Sequence, residues 1–251
     1  MYNRIAVISD IHSNSFALEA VLKDAYYRNA DLIVNLGDDL FGPVDPLGTA
    51  RILMQQPEII NILGNCDELL LQESSESLSY LYVKPLLGIV ETGWIRSHLK
   101  LWSYDNLLFC HGTPWDNSRY MLEQISPEGA VSLKNAEQLA WELHTIQEQI
   151  VFCGHSHVPG TAVLPDGRSV VNPGSVGLPA YAEEMPYPHI MESGTPCASY
   201  CICRRAGELN EWKVEHILVE YGWNQAADLA ASHGRQDYAD AIRTGRVAPA
   251  Y

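Results

Sequence analysis

Residues 5–12 read Ile-Ala-Val-Ile-Ser-Asp-Ile-His. The first four are apolar and mostly β-branched, a pattern that predicts a short buried strand. In an extended chain, residues two apart point to the same side, so Asp10 and His12 can present a carboxylate and an imidazole to one metal ion. The segment therefore predicts a strand that ends at a metal site.

Five further short apolar runs end in the same way, over residues 32–36, 59–63, 107–110, 150–153 and 169–171. The polar residues that follow them are Asp38, Asn65, His111, His155 with His157, and the turn Asn172-Pro173-Gly174-Ser175. Ligands that follow successive strands of one open sheet meet in a single crevice at the C-terminal ends of the strands. We therefore expect one site, and not six.

Helical patterns separate these runs. Residues 16–29 are expected to form a helix capped by residues 13–15, and further helices are expected over 46–56 and 135–147. Repeated alternation of strand and helix predicts an α/β fold. Residues 68–105 are expected to be helical up to Tyr82 and then broken, and the Pro-rich residues 179–196 to form a loop.

The last third of the chain has a different pattern. Residues 198–205 and 212–221 predict an antiparallel hairpin around the turn Ala206-Gly207-Glu208, and residues 224–244 predict one or two closing helices. No linker separates two apolar cores along the sequence. Residues 1–251 are therefore expected to form a single domain.

Charge and composition argue against several classes of protein. The 16 basic and 31 acidic residues give a net charge of −15, which repels a polyanion, so extended nucleic acid is a poor candidate partner. No apolar run approaches the ~20 residues that span a bilayer, and residues 1–9 do not resemble a signal peptide. We therefore expect a globular cytoplasmic protein without a membrane partner, and the sequence leaves its oligomeric state open.

The six cysteines show no disulfide framework and are expected to be thiols. Cys197, Cys201 and Cys203 could form a soft-metal cluster with His189, but a plain strand is the favoured interpretation. The histidines that do not follow strand-like runs are interpreted as ordinary core or surface residues: His98, His144, His189, His216 and His233.

The strand ends supply seven candidate metal ligands: Asp10, His12, Asp38, Asn65, His111, His155 and His157. Seven ligands are too many for one tetrahedral ion and suit two ions that share a carboxylate. Oxygen and imidazole donors without thiolate favour manganese, iron, zinc, cobalt or nickel, and the sequence does not choose among these. Two divalent ions beside two aspartates make the site locally positive, which explains how an acidic protein can accept a phosphate.

The order Asp10-x-His12, Gly37-Asp38, Gly64-Asn65, His111-Gly112 and Gly154-His155-x-His157 resembles the calcineurin-like metallophosphoesterase superfamily. The resemblance spans residues 5–178. Within the superfamily, the sequence looks most like the compact bacterial phosphoesterases, which also carry an Asn-Pro-Gly-Ser turn. It implies a four-layer sandwich of two mixed β-sheets flanked by α-helices, with a dinuclear metal site between the strand ends. It also implies that one ion binds Asp10, His12, Asp38 and His157, and the other Asp38, Asn65, His111 and His155.

The resemblance further implies a hydrolase of phosphoester bonds. A hydroxide that bridges two divalent ions would attack phosphorus in line, with Asp38, Asn65 and His111 as catalytic residues. A small phosphodiester, nucleotide or dinucleoside polyphosphate is the expected substrate. Two alternatives stay open, a protein serine/threonine phosphatase and a non-catalytic scaffold of the same fold, although the complete set of ligands argues against the scaffold.

One position departs from the best-known members of the superfamily, in which a histidine follows the asparagine and stabilises the leaving oxygen. Here Cys66 and then Asp67 follow Asn65. A thiol is a poorer charge stabiliser than an imidazolium, so we expect a preference for substrates with good leaving groups. The candidate substrate contacts are Cys66, Asp67, Arg119, Asn172 and Gly174, with Tyr181 and His189 from the Pro-rich loop.

Overall fold

Two five-stranded sheets form the centre of the fold in a computed structural model, which describes residues 1–207 and 211–248. The strands are β1 (Arg4–Ile8), β2 (Leu32–Asn35), β3 (Ile60–Asn61), β4 (Trp102–Tyr104), β5 (Leu107–Phe109), β6 (Glu123–Ile125), β7 (Val131–Leu133), β8 (Ile150–Phe152), β9 (Gly160–Val163), β10 (Ser169–Asn172), β11 (Ala180–Glu183), β12 (His189–Glu192), β13 (Ala198–Ala206) and β14 (Glu211–Val219). The helices are α1 (Ser15–Tyr27), α2 (Pro46–Met54), α3 (Asn65–Leu70), α4 (Leu78–Val83), α5 (Ile89–Arg96), α6 (Ala136–Glu142), α7 (Trp223–Ser232) and α8 (Gln236–Thr244), with a short 3-10 helix at Lys84–Leu86.

Each sheet combines three parallel strands with antiparallel ones. The first sheet has the order β14-β13-β1-β2-β3, in which β1, β2 and β3 are parallel. The second has the order β4-β5-β8-β10-β9, in which β5, β8 and β10 are parallel. The two mixed sheets implied by the resemblance are confirmed. The simpler expectation of one open sheet is wrong, because an apolar run shows that a strand is buried but not which strand it pairs with.

The sequence of β1 shows how the layers are held together. Alternate residues of a strand face opposite sides of its sheet. Ile5 and Val7 lie in the core between the two sheets, whereas Ala6 and Ile8 lie in the core beneath α1. On the far side, Leu139 of α6 packs in the core on the outer face of the second sheet. Helix, sheet, sheet and helix therefore form four layers.

The predicted strands and helices are found with small shifts at their ends. In α1, Asn14 caps the helix by accepting a hydrogen bond from the Ala17 amide at 3.2 Å. The helix predicted to reach residue 147 stops at Glu142. Beyond it the amides of His144 and Ile146 bond to carbonyls three residues back, and the carbonyls of Leu143 and Ile146 accept hydrogen bonds from Arg168 at 2.9 and 2.7 Å. The hairpin of β13 and β14 is confirmed, although Glu208 of its predicted turn lies outside the described residues.

Two segments differ from expectation. Residues 179–196 contain the antiparallel hairpin of β11 and β12 and are not a plain loop. Pro186 and Pro188 lie in the turn, where no ladder hydrogen bond is needed, so their presence does not prevent pairing. In the segment expected to be broken after Tyr82, α5 forms with Gly93 inside it.

The cysteines and the helices bear on what the composition predicts. All six cysteines are free thiols, and Cys201 and Cys203 lie buried within β13, as the strand interpretation predicts. Among residues 1–207 and 211–248, no helix combines the length and the apolar character needed to cross a membrane.

Candidate metal centre

The seven predicted ligands all follow the C-terminal ends of parallel strands of the two sheets. Asp10 and His12 follow β1, Asp38 follows β2, Asn65 follows β3 at the start of α3, His111 follows β5, and His155 and His157 follow β8. Six of them form two groups, Asp10 with His12 and His157, and Asp38 with His111 and His155. Within each group the candidate ligand atoms lie within 4.8 Å of one another. Each group therefore combines residues from both sheets.

Asp38 is the residue of the second group that lies near the first group. His111 Nε2 lies 3.5 Å from Asp38 Oδ2 and 4.0 Å from Asp10 Oδ1. From the other group, His12 Nε2 lies 3.8 Å from Asp38 Oδ2. The seventh residue joins the second group, since Asn65 Oδ1 lies 2.9 Å from His111 Nε2. The Asp38 carboxylate therefore lies close to histidines of both groups.

The backbone of the centre is sharply bent. Five of the candidate ligands have left-handed φ values, which are 56° at Asp10, 46° at His12, 60° at Asp38, 69° at His155 and 62° at His157. This region costs a non-glycine residue roughly 1–3 kcal/mol, so the surrounding packing must hold each of these loops. Such strained residues cluster at functional sites.

Two glycines let the strand ends approach each other. A Cβ atom on Gly64 would lie 2.0 Å from Asp38 Oδ1, and one on Gly154 would lie 2.0 Å from Ser9 Oγ. Both distances are far below any van der Waals contact. The Gly-Asn and Gly-His dipeptides of the sequence are therefore required by close packing at the centre.

Three of the four histidines have a fixed orientation. The Nδ1 atoms donate to backbone carbonyls, from His12 to Phe41 at 2.7 Å, from His111 to Leu36 at 2.9 Å and from His157 to Leu178 at 2.5 Å. This bond sets the tautomer and turns Nε2 towards the centre, as in most histidines that bind metals.

The carboxylates and His111 carry charge in the metal-free centre. Burial opposes ionisation of Asp10, but His157 and His111 lower its pKa to about 2. The pKa of Asp38 is also well below its ordinary value, because His111 and His12 outweigh the effect of burial. Burial lowers the pKa of His111 by itself, yet the neighbouring Asp38 and Asp10 raise it to about 10.

Two other histidines are neutral. Burial, together with the neighbouring His157, lowers the pKa of His12 to about 4. Burial, together with His111, likewise lowers the pKa of His155 to about 4. Neutral imidazole is the form that binds a metal ion.

The donor atoms fit a divalent cation. Asp10 Oδ1 is buried without a hydrogen-bond partner, and the Nε2 atoms of His12 and His157 face each other at 3.1 Å. Since Nδ1 of both rings donates to a carbonyl, the facing Nε2 atoms carry lone pairs when the rings are neutral. The same carboxylate oxygen of Asp10 lies 3.3 Å from His157 Nε2. Lone pairs that converge beside a buried carboxylate favour a cation, and oxygen with imidazole suits a transition metal.

Asp67 holds the loops beneath the centre. Its carboxylate accepts hydrogen bonds from the backbone amides of Asp38 at 2.7 Å, Asp39 at 2.9 Å and Gly64 at 3.1 Å. Burial and the nearby Asp38 raise the pKa of Asp67 to about 6.

Asn172 supports the loop after β8 in a similar way. Its amide donates to the carbonyl of Gly154 at 2.8 Å and to Ser156 Oγ at 3.0 Å, and its Oδ1 accepts from Gly174 N at 2.8 Å. Asn172 is fully buried. These contacts give Asn172 and Gly174 a structural part in the candidate centre.

A cavity of about 280 Å³ opens onto the centre. It is lined by His12, Asp38, Asn65, Cys66, His155 and His157 and by residues outside the ligand set, which include Phe41, Ser79, Tyr181, Glu183, Arg235 and Tyr238. Of the predicted substrate contacts, Cys66 and Tyr181 are in this lining. Asp67, Arg119, Asn172, Gly174 and His189 are not among the described residues that line it, and Arg119 is exposed.

Sequence reasoning missed the contribution of α8 to this cavity. Arg235 forms two hydrogen bonds with the Asp237 carboxylate, at 2.8 and 2.6 Å, and a third with Ser79 Oγ at 2.6 Å. Its guanidinium also lies over the Tyr238 ring, 4.3 Å from the centroid. No spacing in the sequence connects these residues with the strand ends, so no motif could have identified them.

Comparisons with known proteins agree with this geometry. A family profile described as the calcineurin-like phosphoesterase superfamily domain matches residues 4–191. An uncharacterised protein of Methanocaldococcus jannaschii is 28% identical over an alignment of 249 positions, and the match covers 88% of this chain and 89% of that protein. The crystal structure of a metallophosphoesterase from Sphaerobacter thermophilus is 22% identical, with a TM-score of 0.74 over 98% of this chain and 100% of its own.

Proposed function

Because the chain belongs to the calcineurin-like phosphoesterase superfamily, we propose that it hydrolyses a small phosphodiester, nucleotide or dinucleoside polyphosphate with two divalent metal ions. The observation that supports this substrate class is the cavity of about 280 Å³ beside the candidate centre. Small-molecule pockets measure roughly 300–1,000 Å³, so the cavity is slightly smaller than that range and suits a small substrate. A protein phosphatase needs an open groove for a peptide, whereas here residues of α8 and β11 line the cavity together with those of the centre.

The proposed ligand sets follow the two groups of side chains. One ion would be held by Asp10, His12, Asp38 and His157, and the other by Asp38, Asn65, His111 and His155. A bound pair of divalent ions would lower the pKa of a coordinated water molecule and offset the negative charge of the phosphate. Asp38 is assigned to both ligand sets because its Oδ2 lies 3.5 Å from His111 Nε2 and 3.8 Å from His12 Nε2.

The remaining steps depend on side chains of the chain itself. Asn65 Oδ1 faces His111 and its Nδ2 faces Cys66 Sγ at 3.6 Å, a weak contact that a phosphate oxygen can replace. The amide would then donate to the phosphate as negative charge develops. Burial raises the pKa of Cys66 well above its ordinary value, so its thiol stays neutral and offers no positive charge to the leaving oxygen.

The proposal also covers the domain organisation and the location of the protein. Residues 1–251 are taken as one domain, because α8 lies beyond residue 191, where the family match ends, yet lines the same cavity as the strand ends. A cytoplasmic location is supported by the six free thiols, since reducing compartments keep cysteines unpaired.

The test begins with metal analysis of the purified protein. Chelator-treated protein is then reloaded with manganese, iron, zinc, cobalt or nickel and assayed on a phosphomonoester, a phosphodiester, a dinucleoside polyphosphate and a phosphopeptide. We expect turnover of one or more small substrates and none of the phosphopeptide. Preference for the phosphopeptide, or inactivity of folded and loaded protein on every small substrate, would contradict the proposal.

A variant of the proposed bridging residue sharpens the test. Asp38→Asn is expected to lower activity by at least about 100-fold while the protein stays folded, because the shared carboxylate is lost. Asp228→Asn, at an exposed position of α7, is the matched control and should leave activity unchanged.

A further inference from the structure

His155 differs from the other three histidines of the candidate centre in how its ring is held. In the described part of the chain, the hydrogen bonds of ring nitrogens to backbone carbonyls at the centre come from His12, His111 and His157, and the ring of His155 has none. A histidine that binds a metal normally donates its second ring N–H to a fixed acceptor, which orients the ring. His155 therefore needs another source of orientation.

The ring of Tyr120 supplies one contact. The rings of Tyr120 and His155 are stacked, with centroids 4.7 Å apart and an interplanar angle of 24°. Tyr120 is buried and lies in the connection between β5 and β6, just before β6. A buried aromatic ring packed on the imidazole restricts its rotation.

Tyr181 supplies a second contact, to the backbone of His155. Its hydroxyl donates to the His155 carbonyl at 2.9 Å. On the other side of the residue, the His155 amide donates to Asp10 Oδ2 at 3.1 Å. Because the φ of His155 is 69°, a strained value for this residue type, these two bonds help to hold the conformation that directs the ring.

His189 connects both tyrosines to the hairpin of β11 and β12. The Tyr120 hydroxyl oxygen lies 2.9 Å from that of Tyr181 and 2.8 Å from His189 Nε2. The other ring nitrogen of His189 lies 2.6 Å from the carbonyl oxygen of Tyr187. With both nitrogens engaged, the buried His189 ring fixes the position of the Tyr120 hydroxyl.

We propose that Tyr120 and Tyr181, held by His189, are positioning residues for His155 as a metal ligand. The inference rests on the proposed function, because it takes His155 to be a ligand. The two tyrosines take the place of the carbonyl acceptor that orients the other three histidines. They consequently set the affinity for the ion held by Asn65, His111 and His155.

Metal binding tests this inference without an activity assay. Chelator-treated protein is titrated with manganese and with cobalt by calorimetry. Tyr120→Leu removes the stacked ring, and we expect it to weaken one ion by about 10- to 100-fold, the range for loss of a supporting residue. Tyr181→Phe removes only the hydroxyl and should weaken the same ion by a smaller factor. The ion held by Asp10 and His12 should keep its affinity, a selectivity that general destabilisation does not produce.

Tyr80→Phe is the matched control. The Tyr80 hydroxyl donates to the Gln72 carbonyl at 2.9 Å. Tyr80→Phe therefore loses a hydrogen bond of the same kind as the one lost in Tyr181→Phe, but at a position outside the candidate centre. Its affinity for both ions should equal that of the wild type.

Wild-type affinity for both ions in folded Tyr120→Leu and Tyr181→Phe overturns the inference, and so does an equal loss for both ions. If circular dichroism shows that Tyr120→Leu does not fold, the metal affinities of Tyr181→Phe decide by the same criteria.

His155→Ala separates the two proposals. If it binds both ions normally, the ligand assignment in the proposed function fails. If it loses one ion while the tyrosine variants lose none, only the positioning role fails.

Discussion

His12 and His157 point their Nε2 atoms at each other across 3.1 Å, although they are 145 positions apart in the chain and follow strands of different sheets. Both rings donate Nδ1–H to backbone carbonyls, so in the neutral forms two lone pairs face each other. This arrangement is unfavourable in the metal-free protein unless one ring takes up a proton. A cation between the two nitrogens removes the repulsion.

The first prediction follows for His157→Ala. Losing a ligand should cost more than the roughly 10- to 100-fold in affinity that is typical of losing its supporting residue, so the variant should lose one of two metal equivalents. Metal analysis after dialysis, together with calorimetric titration, measures this. His144→Ala, at an exposed position of the same residue type, should keep both equivalents. Two ions bound to His157→Ala with unchanged affinity would exclude this residue as a ligand.

The second prediction concerns protons released when metal binds. Although burial lowers the pKa of His111, Asp38 and Asp10 raise it to about 10, so the ring is protonated in the metal-free protein near neutral pH. The ring must lose this proton to bind a metal ion, so affinity should rise by about tenfold per pH unit below that pKa. Calorimetry in buffers with different ionisation enthalpies counts the protons. The wild type should release one more proton than His111→Gln, and equal release would show that His111 is already neutral.

The sequence predicted the candidate centre better than the sheets around it. Asp38 and His111 could be placed because each follows a short apolar run, and parallel strands end at one edge of their sheet. The division of the strands between two sheets could not be predicted in this way. β5 pairs with β8, and Phe109 stacks on Phe152 with centroids 5.1 Å apart. That pairing depends on how side chains pack between distant segments, which apolar periodicity does not record.

The arrangement of the cavity residues outside the ligand set could not be predicted from the sequence for a related reason, although Tyr181 itself was named as a candidate contact. Tyr181 lies in a segment whose prolines suggested a loop, yet the neighbouring Ala180 pairs with Glu192 in a hairpin. Ala180 also packs in one core with Ala227 of α7 and Ile242 of α8. This contact brings α8, and with it Arg235, over the candidate centre. Nothing in the local sequence of either segment indicates that the two meet.

The third prediction concerns the thiol of Cys66, the residue that follows Asn65. Cys66 lines the cavity, and burial raises its pKa well above the ordinary value, so it should neither donate a proton readily nor carry charge. A working general acid contributes about 100- to 10,000-fold, so Cys66→Ala should cost far less than 100-fold in turnover. Turnover should also fall steeply as the pKa of the leaving group rises, in the wild type and in the variant alike.

Cys66→His provides the opposite change. An imidazole at this position should raise turnover of esters with poor leaving groups more than that of nitrophenyl esters. Cys197→Ala, which removes a thiol elsewhere in the chain, is the control and should change neither rate. A loss of 100-fold or more in Cys66→Ala with normal metal content, or a flat dependence on the leaving group when chemistry limits the rate, would show that an acid is present.

The last prediction concerns stability towards acid and depends on His98. Both of its ring nitrogens are buried without a hydrogen-bond partner, and Nδ1 lies 3.8 Å from Asp39 Oδ2. Burial lowers the pKa of His98 from 6.5 to about 4. Burial, with the neighbouring Asp67, raises the pKa of Asp39, so this carboxyl offers little negative charge to the ring.

The unfolded chain therefore takes up a proton at His98 as the pH falls below 6.5, whereas the folded protein does so only near a pH of about 4. Stability should fall across that window, by up to about 3 kcal/mol from this group. Urea unfolding of chelator-treated protein at several pH values measures the loss. His98→Leu should lose less stability than the wild type over the same window, while the exposed control His144→Leu should follow the wild type. Parallel losses in all three proteins would mean that His98 is already paired with a proton donor or acceptor in the folded state.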